Sequence, residues 1–123
     1  MPSNPFVHVE LATTDVPKAK EFYGKLFDWQ LNDDSGVDGY TTIGVGENEY
    51  GVGGGMMHVP QEGMSTTWLA YVAVGDIKAA TERARSLGAT ILTDVTEIGP
   101  VGWLSVIQDP TGGVLGLFQG KQG

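Results

Sequence analysis

Two stretches of this chain, TTDVPKAKEFYGKLF from Thr13 and VGDIKAATERARSLG from Val74, each place an aspartate before a helical pattern, and those aspartates, Asp15 and Asp76, lie 61 residues apart. A duplication of this length constrains the fold more than any other feature of the sequence. An Asp at each start can accept hydrogen bonds from the unsatisfied N–H groups of a first helical turn, and Pro17 suits that turn because it brings no N–H of its own. In the first copy Val16, Ala19, Phe22, Tyr23 and Leu26 form one apolar stripe, with Lys18, Glu21 and Lys25 outside it. Ile77, Ala80, Ala84 and Leu87 do the same in the second copy, and Gly88 is placed to end that helix.

Each helical pattern is preceded by one strand pattern and followed by three. FVHVELAT and TWLAYVAV lead in; DWQLND, GYTTIGVG and YGVGGGMM follow the first helix; ATILTDVT, GWLSVIQD and GVLGLFQ follow the second. Turn signals at Asp38-Gly39, Gly99-Pro100 and Asp109-Pro110 separate them. The order is βαβββ, twice. One helix for four strands is too few crossovers for a parallel sheet covered on both faces. The expected class is α+β: two tandem βαβββ modules forming a curved, mostly antiparallel sheet, with helices on its convex face and a ligand cavity on its concave face.

The chain has 123 residues, enough for one domain with its own core and too few for two ordinary ones, so a single domain over 1–123 is expected. Module one would cover about residues 5–60 and module two about residues 65–119. Fifteen acidic against seven basic residues give a net charge of −8, which opposes phosphate backbones and anionic lipid, so no nucleic-acid or membrane partner is expected. No apolar run reaches the length of a membrane span, and the N-terminus lacks a basic region followed by an apolar segment, which reads as cytoplasmic. The absence of cysteine removes disulfides, thiolate metal sites and cysteine nucleophiles.

The paired βαβββ units, HVELATTD leading into AKEFYGKLF, and DPTGG before the last strand together resemble the glyoxalase/bleomycin-resistance/extradiol-dioxygenase group, the vicinal oxygen chelate superfamily. The resemblance runs from about Phe6 to Gln119. It implies a metal site built from His, Gln or Glu side chains at the first and last strands of the modules. Carried over by position, those sites fall on His8 and near Gly55 in module one, and on Leu69 and Gly116 in module two. Only His8 has a lone pair to offer, whereas a catalytic divalent cation generally needs about three protein ligands. No metal and no cofactor is therefore expected. A rearranged site using His8, Glu10 and a group from a second subunit stays open.

Strand alternation puts Glu10 and Ala12 on the same face as His8, with Val9 and Leu11 facing the helix, and it groups Leu69, Tyr71 and Ala73 in the second module. His8, Glu10, Tyr71, Leu69 and Gly116 are the candidate ligand-binding residues, and His8 and Glu10 are the candidates for catalysis. GVGENEYGVGGG lacks the following helix and the Gly-Lys-Ser/Thr of a phosphate loop, so it reads as a hairpin and a glycine-rich strand. Of Trp29, Trp68 and Trp103, at least two read as packing or interface residues before stacking platforms. The helix-side core is expected at Val9, Leu11, Phe22, Leu26, Val72, Val74, Ile77, Leu87, Leu115 and Leu117. Three functions fit: a metal-independent protein that binds a small molecule; an enzyme such as a lyase or isomerase using His8 or Glu10 as acid or base, or an atypical metal; or an interaction module. A homodimer is expected, as the resemblance also implies.

Overall fold

The computed structural model describes residues 3–47 and 51–121. Its elements run β1 (Phe6–Thr13), α1 (Val16–Leu26), β2 (Gln30–Asn32), β3 (Tyr40–Gly44), β4 (Gly54–His58), β5 (Thr67–Ala73), α2 (Ile77–Ser86), β6 (Thr90–Ile98), β7 (Gly102–Gln108) and β8 (Val114–Gly120). This is βαβββ twice, of the α+β class, and antiparallel strand pairs outnumber parallel ones. The hairpin read through GVGENEYGVGGG includes residues 48–50, which lie outside the described residues. The chain divides into two compact units, His8–Leu69 and Met1–Val7 with Ala70–Gly123.

In the first unit the strands lie in the order β2-β3-β4-β1, with β4 parallel to β1 and antiparallel to β3. Helix α1 begins where the sequence places it: Asp15 Oδ1 accepts the Lys18 N–H at 3.0 Å, and Pro17 occupies the first turn. Period-two alternation then sorts the side chains. Leu11, Ile43 and Met56 form a buried cluster against which Val16, Ala19, Tyr23, Trp29 and Leu31 pack. The opposite side is set by register: Glu10 pairs with Gly55, Thr42 with Gly55 and Tyr40 with Met57, so His8, Glu10, Ala12, Tyr40, Thr42, Gly55 and Met57 share it. Gly54, on the helix side, is required by close approach, since a Cβ there would run into the Val9 carbonyl oxygen.

Two of the expected core residues of α1 are corrected. Phe22 and Leu26 are exposed, and no residue of α1 is fully buried. The helix meets the strands along a narrower stripe, Val16, Ala19 and Tyr23. Phe22 instead lies edge-on to Tyr23 at 4.9 Å, and Tyr23 also meets Phe27, Trp29 and Trp68. Trp29 and Trp68 thus serve packing, as read from the sequence, within a partly exposed aromatic cluster.

In the second unit the order is β5-β8-β7-β6, with β5 parallel to β8 and the remaining pairs antiparallel. Asp76 Oδ1 accepts the Ala79 N–H at 3.1 Å, and the Gln119 side-chain carbonyl accepts the Ile77 N–H at 2.8 Å, fastening the start of α2 to β8. Gly88, at φ 105°, turns the chain out of the helix. Ile77 and Leu117 are buried as expected, while Val72, Val74 and Leu115 are half-buried. Leu87 is corrected: it is the C-cap residue and exposed. Besides Ile77 the buried residue of α2 is Thr81, which donates to the Ile77 carbonyl at 2.6 Å and so accepts from Ser105 at 2.9 Å; both hydroxyl side chains are buried and satisfied. The DPTGG turn closes on Asp109, whose Oδ1 accepts from Thr111 Oγ1, Thr111 N and Gly113 N. The Thr111 hydroxyl first, and then those N–H groups, hold the Asp109 carboxyl below its ordinary range.

Candidate functional site

His8 enters the first unit on the side of its strands away from α1, half-buried, with its Nε2 and the Tyr40 Oη 2.5 Å apart in a shared hydrogen bond. The two rings are nearly parallel, 23° between planes with centroids 6.1 Å apart. Burial holds the imidazole below its ordinary value of 6.5, so at neutral pH it is an uncharged group. Glu10 follows two residues along β1, half-buried, with Gly55 as its Cα partner on β4. His8 and Glu10 therefore share a face as the alternation predicts. Tyr40 joins them there, and the sequence reading missed it.

Tyr40 also explains Gly55. Residue 40 on β3 stands diagonally across from residue 55 on β4, and a Cβ added to Gly55 would collide with the hydroxyl end of the Tyr40 ring. The second unit reaches the same result from a different strand. Tyr71 on β5 is the Cα partner of Gly116 on β8, and a Cβ at Gly116 would collide with the Tyr71 ring. Tyr71 is only 4% exposed. Leu69, two residues before it on β5, is half-buried. At both glycines the volume of the missing side chain is filled by a phenol ring.

Two surface depressions flank α2 in the second unit. One, of about 390 Å³, is lined by Gly75, Asp76, Ile77, Val95, Trp103 and Gln119, and the other, of about 430 Å³, by Val72, Ala80, Ala84, Leu87 and Ile107 among others. Neither includes His8, Glu10, Tyr40 or Tyr71.

The family model for the Glyoxalase/Bleomycin resistance protein/Dioxygenase superfamily matches residues 6–116. The chain belongs to this superfamily. The protein named "Putative glyoxylase CFP32" in Mycobacterium bovis is 34% identical over 119 residues, which are 93% of this chain and 45% of the relative, and its Mycobacterium tuberculosis namesake matches to the same extent. The chain thus spans less than half the length of the curated relatives it matches. Among solved structures, methylmalonyl-CoA epimerase from Mycobacterium tuberculosis aligns with a TM-score of 0.68 at 19% identity, over 95% of this chain and 88% of the epimerase. A hypothetical protein from Bacillus halodurans aligns at 0.71 and 16% identity, over 98% and 97%. At these identities the structural matches establish the fold.

Membership of the glyoxalase superfamily raises the question of a metal, and the donor chemistry answers it. Leu69 has no lone pair, and Gly55 and Gly116 have neither side chains nor room for them. His8 spends its Nε2 on Tyr40. Among the described residues no group of three or more His, Cys, Asp or Glu is arranged to hold a metal ion. The residues at the positions implied by the glyoxalase superfamily do not fit a divalent cation.

Proposed function

We propose that this glyoxalase-superfamily protein binds a small molecule without a metal ion, through hydrogen bonds with His8 and Glu10, the carboxylate accepting, on the face of module one that α1 leaves uncovered. The observation that carries this reading is the filling of Gly55 and Gly116 by tyrosine rings, which leaves phenol, imidazole and carboxylate as the polar chemistry. A neutral His8 and a net charge of −8 favour an uncharged ligand over an anion such as an acyl-CoA. No helix among the described residues is long and apolar enough to cross a membrane. A single domain over 1–123, a homodimer and a cytoplasmic location complete the proposal.

The test pairs elemental analysis with thermal unfolding before and after chelator. The expected result is substoichiometric Ni, Zn, Mn and Fe and an unchanged midpoint, because a tightly bound metal would raise stability by mass action. About one metal per chain, lost on His8→Ala, would overturn the proposal.

One observation favours a second reading. An uncharged imidazole 2.5 Å from a phenol and two residues from a carboxylate is also an acid–base set near neutral pH. On that reading the chain is an isomerase or lyase, in keeping with the glyoxylase and epimerase names of its relatives and structural neighbours.

A further inference from the structure

The face of module one that carries His8 has two of the requirements for a cation site. His8 and Glu10 project from β1 to the same side, and the Cα partner of Glu10 is residue 55. A carboxylate at 55 would complete a His and two carboxylates converging from adjacent strands, a set suited to first-row divalent metals. Two features prevent it, and Tyr40 takes part in both. Position 55 is glycine and a Cβ there would overlap the hydroxyl end of the Tyr40 ring, while the Tyr40 hydroxyl holds His8 Nε2 at 2.5 Å.

We propose that Tyr40 is a metal-excluding residue: one side chain both engages the imidazole nitrogen and fills the volume above Gly55, sealing a latent divalent-cation site. The proposal rests on the metal-independent reading of the function and adds the residue responsible for it. Gly55 and Tyr40 form a matched pair, in which glycine accommodates the ring and the ring removes the opening. The arrangement at Tyr71 and Gly116 repeats the steric half of this device with a ring from another strand, so the filling is not an accident of one loop.

Zinc titration by calorimetry, with Zn²⁺ alone as the probe, tests the pair. The native chain is expected to bind no stoichiometric Zn²⁺, and Tyr40→Ala combined with Gly55→Glu is expected to bind about one Zn²⁺ per chain. Tyr40→Phe, which frees the nitrogen but keeps the ring, should gain nothing. Failure of the combined variant to gain Zn²⁺ while the native chain binds none sinks the role of Tyr40 and leaves the metal-independent reading intact. Stoichiometric Zn²⁺ on the native chain sinks both. Should the combined variant fail to fold, Gly55→Ala decides the matter. It should lower the unfolding midpoint in the native background and lose that effect beside Tyr40→Ala, whereas equal effects in the two backgrounds would overturn the proposal.

Discussion

His8 carries a stability signature of its own, beside the binding role proposed for it. Burial keeps its folded-state titration below 6.5, whereas in the unfolded chain it titrates near the ordinary value. Between those two values the unfolded state binds the extra proton, so the contribution of neutral His8 is present above about pH 6.5 and is lost as pH falls through the window. The unfolding midpoint of the native protein should therefore fall from pH 7.5 to pH 5.5, and His8→Asn should flatten that fall. An unchanged slope in the variant would place the titrating group elsewhere. Asp33, held low first by its hydrogen bond from Lys20, and Asp109, held low first by Thr111, act in the same direction but in the carboxylate range, which separates them from His8. His8 and Glu10 were legible as a pair because strand period alone places them on one face. Tyr40 was not, because its relation to Gly55 depends on the register of β3 against β4, and register is a property of two segments at once.

At the level of elements, the sequence was most readable where a local signal has a local cause. Both Asp caps and the Gly88 stop sit where the pattern places them, because capping is decided within a few residues. The buried faces were less readable. The helical period marks every apolar residue within a wide arc, but a short helix over twisted strands touches only the centre of that arc. Phe22 and Leu26 fall at its margin, and Leu87 lies past the end of α2. The consequence is measurable in urea unfolding. Leu117→Ala, at a site 7% exposed and paired across β7 with Ser105, should cost about 2–5 kcal/mol. Leu26→Ala, at 56% exposure, should cost less than about 1 kcal/mol. Equal losses would mean that α1 packs on the stripe the sequence suggested.

Over the whole molecule, the exposed apolar side chains are the ground on which a homodimer is predicted. The first unit leaves Phe22, Leu26, Phe27 and Trp68 substantially exposed in and beside one aromatic cluster, and the second leaves Phe6, Leu87, Leu92 and Val114 exposed. Apolar side chains in contact with one another at the surface, unlike scattered single ones, usually mark an interface. The charge of −8 opposes indiscriminate aggregation of such a surface, so a closed assembly is favoured over an open one. Light scattering should give a mass about twice the 13.0 kDa of one chain, and the unfolding midpoint should rise with protein concentration as mass action requires. A mass near 13.0 kDa at every concentration, with a constant midpoint, would show that the exposed aromatic cluster serves something other than a second copy of this chain.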